Sequence, residues 1–169
     1  GSTGQLTALT PATVTTTAPE GIAINPAGTY AYVVNNILDR ISMYAINGAN
    51  GQLTALTPAF IGTSGAQPMG ISINAAGTFA YVTDASGDKV SMFSIERSTG
   101  VLTALSPATI VAGDGPAGIA INTAGTFAYV TNCNSNNLSM YSINGGTGAL
   151  TTLTPATNAT GACTRRYAI

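Results

Sequence analysis

Six carboxylates and no histidine are what this chain of 169 residues offers for acid–base chemistry: Glu20, Asp39, Asp84, Asp88, Glu96 and Asp114. Without imidazole the usual general base is missing, and zinc and copper sites lose their commonest ligand. The acids show no common phase along the chain. Asp84-Ala85-Ser86-Gly87-Asp88 sets oxygen ligands at alternate positions, as a calcium loop does, so Asp84, Ser86 and Asp88 form a candidate calcium site. Ile95, at the twelfth position, cannot supply the bidentate carboxylate, and Glu96 stands one residue out. A solvated turn is the favoured reading, and no cofactor is implied.

Other side chains carry weaker signals. Tyr30, Tyr44, Phe93 and Tyr141 are of the type that lines a carbohydrate site, although aromatics at such spacing more often fill a core. Asn137-Leu138-Ser139 and Asn158-Ala159-Thr160 match the acceptor pattern for N-glycosylation at Asn137 and Asn158. Arg165-Arg166 is the one basic pair. Charged residues make up 7% of the chain, far below the ~25% of an ordinary domain, and the net charge is −1. With no basic stripe, nucleic acid is not an expected partner. No apolar run reaches the ~20 residues that cross a bilayer as a helix. A surface made polar by Thr, Ser, Asn and Gly fits an extracellular or cell-surface location, with surface glycans or proteins as candidate partners.

What must position these residues is a repeat. Tyr32, Tyr81 and Tyr129 head the phrases Tyr-Val-Val-Asn, Tyr-Val-Thr-Asp and Tyr-Val-Thr-Asn, 49 and 48 residues apart. Ser42-Met43-Tyr44 returns at Ser91 and Ser139 with the same spacings. Leu6-Thr7-Ala8-Leu9-Thr10-Pro11 returns at Leu53, Leu102 and Leu150. Each unit reads as four short strands, A to D, joined by Asn/Gly turns. The first unit has A at Ile22–Ile24, B at Tyr30–Val34, C at Ile41–Ile46 and D at Leu53–Thr57, where Pro58 ends an edge strand. Both faces of these strands are apolar, so each sheet needs a neighbour on either side. A period of ~40–50 residues with four strands per unit is the signature of a β-propeller.

The expected architecture is therefore all-β: three four-stranded antiparallel blades, a leading D strand and a trailing A strand, within one repeat domain spanning 1–169. Residues 4–13 are read as the outer strand of a preceding blade, 20–58 as blade 1, 69–107 as blade 2 and 117–155 as blade 3. Residues 156–169 are read as a crossing and the start of a fourth blade. Three blades cannot close a ring that typically takes 4–8. Further blades or copies of the same chain are the expected partners.

The phrases at 32–35, 81–84 and 129–132, with Gly-Ile-Ala-Ile-Asn-Pro-Ala-Gly-Thr before the first, resemble the YVTN-repeat family of β-propellers. That family is similar to the seven-bladed lactonase propellers. The resemblance implies a cell-surface or secreted protein. Because the motif recurs in every unit, its Tyr, Val and Asn are expected to be structural. The main expectation for function is a non-enzymatic, self-assembling scaffold or binding module. The alternative is a fragment of a lactonase-like hydrolase, in which Glu20 and Asp114, just before strands A, would approach the axis. The two cysteines form the last expectation. Cys133 falls in the third B–C loop and Cys163 in the crossing after the third strand D, on one rim of the propeller, which predicts a disulfide.

Overall fold

The computed structural model describes residues 5–11 and 13–160. Twelve strands fall into three antiparallel sheets of four, and no helix occurs among the described residues. Blade 1 comprises β1 (Pro19–Ile24), β2 (Tyr30–Asn35), β3 (Arg40–Ile46) and β4 (Leu53–Gly62). Blade 2 comprises β5 (Pro68–Ile73), β6 (Phe79–Asp84), β7 (Lys89–Ile95) and β8 (Leu102–Val111). Blade 3 comprises β9 (Pro116–Ile121), β10 (Phe127–Asn132), β11 (Asn137–Ile143) and β12 (Leu150–Ala159). In each sheet the strands pair in chain order.

The turns follow from local chemistry. Asn25, Asn74 and Asn122 end the innermost strands. Asn25 Oδ1 accepts from the backbone N–H of Thr29 at 2.8 Å and of Tyr30 at 2.9 Å, which closes the turn into β2. The same bonds recur at Asn74 and Asn122. The asparagine side chain thus stands in for a strand partner where the chain reverses.

Packing between blades is what the two-faced apolar pattern demands. Tyr32, Val34, Ile41 and Met43 of blade 1 meet Ala80, Val82, Phe93 and Leu102 of blade 2 in one buried cluster. Tyr81, Val90 and Met92 of blade 2 meet Val130, Tyr141 and Leu150 of blade 3 in a second. Each large apolar side chain so buried stabilises the fold by ~1.5–3 kcal/mol. The innermost strands run so close that a side chain on Gly21 would lie 2.5 Å from the Met69 carbonyl, and one on Gly70 would lie 2.4 Å from that of Ala117. Thr83 stitches the same boundary: its Oγ1 accepts from Gly70 N–H at 2.8 Å and donates to the Ala117 carbonyl at 2.7 Å.

Two readings of the strands are corrected. The D strands do not stop before proline; β4, β8 and β12 run on through Pro58, Pro107 and Pro155. The register against the neighbouring strand skips there, between Ser42↔Phe60 and Tyr44↔Ala55 in blade 1, so the missing proline N–H falls outside the ladder. Residues 5–11, expected to lie in an outer strand, form none. A D strand pairs with strand C of its own blade, and no strand precedes β1 among the described residues. The segment rests instead on blade 1, where Gln52 Nε2 donates to the Thr10 carbonyl and Leu9 lies against Gly51. The expected fourth strand A, Arg165-Arg166 and Cys163 lie outside the described residues.

Candidate functional site

Three strand A phrases, Pro19-Glu20-Gly21, Pro68-Met69-Gly70 and Pro116-Ala117-Gly118, converge on one cleft of about 430 Å³. Close contact of the glycine backbones brings these strands together around the propeller axis. Glu20, Met69 and Ala117 are therefore equivalent positions that differ in chemistry. Met69 and Ala117 are buried, while Glu20 is exposed and is the one carboxylate lining the cleft. Thr131 and Cys133, from the end of β10 and the turn after it, complete the lining. A larger cavity of about 540 Å³ lies between the free face of blade 1 and the segment before β1, lined by Val33, Tyr44 and Leu53 among others. Glu20 borders this cavity as well, but the apolar part of its lining is blade-core material left without a neighbouring blade, so the axial cleft, shared by all three blades, is the better candidate for chemistry.

The remaining acids are held in place by structural bonds. Asp114, expected near the axis with Glu20, does not line the cleft; it accepts from Asn134 Nδ2 at 2.9 Å. Asp39 Oδ1 accepts from Gln67 N–H at 2.8 Å, and Asp88 Oδ1 from Gly115 N–H at 2.9 Å. These two stand in phase, both at positive φ, 46° and 50°, with Asn136 at 52° in the third copy. The expectation that no acids share a phase is corrected accordingly. They tie each B–C turn to the crossing that follows it. Glu96 caps its own turn, accepting from Ser98 N–H at 3.3 Å and Ser98 Oγ at 3.0 Å, bonds that hold its carboxyl below the usual range.

Asp84, Ser86 and Asp88 are not brought together. Ser86 Oγ donates to Gln67 Oε1 at 2.6 Å, Asp88 takes the Gly115 N–H, and Asp84 is wholly buried under Gly65. Among the described residues no cluster of acids has the makings of a metal site. Asp84 occupies the last position of strand B, where Asn35 and Asn132 stand in the other blades. Those amides donate to Ser42 Oγ at 2.9 Å and Ser139 Oγ at 2.8 Å. In blade 2 the bond is reversed, with Ser91 Oγ donating to Asp84 Oδ2 at 2.6 Å, and Asp84 Oδ1 has no partner. Burial pushes the Asp84 carboxyl up to about 6, against the pull of the Ser91 and Thr63 hydroxyls.

The aromatic candidates are core. Tyr44, Phe93 and Tyr141 are buried, and Tyr30 Oη donates to the Ser98 carbonyl at 2.8 Å across the blade boundary. Their spacing serves packing within and between blades. Asn137 is half-buried, with its Oδ1 accepting from Asn132 Nδ2 at 2.7 Å. Asn158 is exposed and donates to Met140 Sδ at 3.3 Å. Of the cysteine pair, Cys133 lines the axial cleft and Cys163 lies outside the described residues. The place of Thr131 in the cleft was overlooked in the sequence, although its phase with Thr83 marks the same strand end.

Comparison with known proteins gives these features a context. No curated protein sequence matches the chain. Among solved structures, the periplasmic gluconolactonase of Pseudomonas aeruginosa aligns with a TM-score of 0.72 at 22% identity, covering 83% of this chain and 40% of that one. A protein from Lactobacillus plantarum aligns with a TM-score of 0.73 at 22% identity, covering 85% of this chain and 42% of that one. At such identity the likeness shows the fold alone, and this chain spans about 40% of the gluconolactonase's length. The model of the family described as "Lactonase, 7-bladed beta-propeller" matches residues 1–164. That match overturns the expectation of a non-enzymatic, secreted, self-assembling structural protein, which rested on surface composition and on unpartnered blade faces; both are equally compatible with part of an enzyme ring. From the repeat, the three blades and the match along nearly its whole length, the chain belongs to the seven-bladed β-propeller lactonase family.

Proposed function

We propose that this chain is a segment of a lactone-hydrolysing propeller, with its reaction centre at the axial cleft. The observation that carries the proposal is Glu20. It alone among the equivalent strand A positions is ionisable, and it lines a cleft shared by all three blades of a chain that belongs to a lactonase family. Repeat positions that serve packing carry similar residues in each copy, as Tyr32, Tyr81 and Tyr129 do. A catalytic group is needed only once.

Opening a lactone requires water to add to the ester carbonyl carbon. The ring C–O bond then breaks, and the ring oxygen leaves as an alcohol. A carboxylate at Glu20 would accept the water proton and return it to the departing oxygen. The substrate class is a lactone of a sugar acid, in keeping with the gluconolactonase neighbour. The oxyanion needs donors beyond Thr131, whose Oγ1 accepts from Gly118 N–H at 2.9 Å and already donates to the Gly118 carbonyl at 3.4 Å. Further blades would supply them.

Blade 3 is shaped to receive such a blade. Strand β6 is buried along its whole length, whereas β10 alternates exposed and buried residues, so one of its faces lacks cover. On it, Phe127 and Tyr129 are 38% and 40% exposed, against 8% and 0% for their counterparts Phe79 and Tyr81.

Turnover of a panel of five- and six-membered sugar lactones by the complete ring tests the reading. Hydrolysis above the uncatalysed rate is expected, with a loss of ~10²–10⁴-fold for Glu20→Gln, the usual range for a general base. A ring that hydrolyses no lactone, or a Glu20→Gln variant with full activity, overturns it.

A further inference from the structure

Asp84 is a buried acid that the axial cleft does not use, and a strap of chain lies directly over it. The crossing from blade 1 to blade 2 runs through residues 63–67. A side chain on Gly65 would stand 2.2 Å from Asp84 Cβ and 2.6 Å from its Oδ2, so the crossing can seat there only with glycine at this position. Ser64 N–H donates to Ser91 Oγ at 3.2 Å, and Ser91 Oγ donates in turn to Asp84 Oδ2 at 2.6 Å. One hydroxyl thus joins the strap to the acid. Blades 1 and 2, which meet at this boundary, both belong to the chain, so Asp84 is buried in a completed interface rather than on an open face.

The next crossing offers a comparison within the same molecule. It runs through residues 112–115, one residue shorter. Gly113 N–H donates to Ser139 Oγ at 3.0 Å, as Ser64 N–H does to Ser91. The residue beneath is Asn132, whose amide donates to the same hydroxyl at 2.8 Å and does not ionise. A protonated Asp84 can donate to Ser91 Oγ in the same sense. An ionised Asp84 can only accept, and its Oδ1 is then a buried charged oxygen with no partner. Such a group is costly until water reaches it, and the strap is the cover that must lift to let water in.

We infer that residues 63–67 form a proton-sensitive strap, seated while Asp84 is protonated and lifted more often once it is ionised. The strap runs into β5, where Pro68 is the register partner of Asp84 and Met69 lines the axial cleft. Loss of the proton therefore loosens the part of the cleft wall that blade 2 supplies. Asp39, from the turn of blade 1, and Lys89, opposite Asp84 on β7, are the charged groups that bear on it. Asp88 is bonded to Gly115 N–H, and neither residues 63–67 nor β5 carry an ionisable side chain. The inference does not rest on the lactonase reading.

Hydrogen exchange of the full chain, followed amide by amide by NMR at several pH values from 5 to 7 and corrected for intrinsic rates, tests the strap. One proton is linked to opening, with a value of about 6 in the closed state and ~3.9 in the open one. Protection of the Ser64 amide should then fall by about tenfold from pH 5 to 7. The Gly113 amide, over Asn132, should keep its protection across that range. Asp84→Asn should make Ser64 as indifferent to pH as Gly113. Gly65→Ala props the strap open, and should bring the Asp84 carboxyl, read by its ¹³C shift, down toward the ordinary carboxylate range. An equal pH dependence at Ser64 and Gly113 would be a whole-molecule effect and overturns the strap. So does a Ser64 response that persists in Asp84→Asn, or an Asp84 titration that Gly65→Ala leaves unmoved.

Discussion

Tyr32 Oη donates to the Gly100 carbonyl at 2.8 Å, from the second strand of blade 1 to the last turn of blade 2. Tyr81 repeats the bond to Gly148, again at 2.8 Å. Beside each, a second aromatic ring lies over the glycine: Tyr30 on Gly100 and Phe79 on Gly148. The tyrosine of the repeat phrase is thus a lock between blades. Burial raises the Tyr32 phenol to about 12, so it remains a donor throughout the range in which the protein would be handled.

Tyr32→Phe and Tyr81→Phe each leave a glycine carbonyl unpaired at a buried boundary. Each is expected to lower stability by ~1–3 kcal/mol in urea unfolding. Tyr129→Phe, on the uncovered face, should change it by less than ~0.5 kcal/mol. Equal effects at all three positions would contradict the lock.

Gly100 has φ +73°, and an added Cβ would stand 2.3 Å from the Tyr30 ring. Gly100→Ala is expected to cost upwards of ~2 kcal/mol, part from left-handed backbone strain and part from the clash. In a double-mutant cycle, Tyr30→Ala should recover the clash and leave the strain. Additive effects of the two substitutions would show that ring and glycine do not interact.

Thr83→Val removes a hydroxyl that joins strands β5 and β9. Blade 1 carries Val34 at the equivalent position, so the side chain fits. The loss of the Ala117 and Gly70 bonds is expected to cost ~1–2 kcal/mol, read as a lower unfolding midpoint at unchanged slope.

Asp84 gives the protein a pH dependence of defined sign. Its folded-state value of about 6 lies above the ~3.9 of an unfolded chain, so the folded state binds the proton more tightly. The contribution is fully present below pH ~4, declines as pH rises through ~6, and amounts to ~3 kcal/mol lost by pH 7. Asp84→Asn places in blade 2 the residue found in blades 1 and 3. The difference in stability between variant and wild type should therefore grow across this interval, in the variant's favour. A constant difference from pH 4 to 7 would exclude the effect. Asp39 and Lys89 are the charged groups near enough to modulate it.

The sequence by itself determined the architecture. A period of 48–49 residues, two-faced apolar strands and Asn/Gly turns leave few ways to bury both faces of each sheet, and radial stacking is the one found. Within a strand, neighbours are fixed by the two-residue alternation of side chains, so Tyr32, Val34, Ile41 and Met43 could be read as core from their spacing. The ends of the D strands escaped this logic, because proline tolerance depends on whether a ladder bond is due at that residue, and that is set by register.

Only the tertiary structure decided which residues share a site. Glu20, Met69 and Ala117 are far apart in sequence and meet because three glycine-bearing strands close on an axis. Asp84, Ser86 and Asp88 stand within five residues and separate, because the turn directs each side chain to a different neighbour. A chain encodes periodic packing in local order, whereas a site depends on side chains that only the packing of one sheet against the next brings within bonding distance.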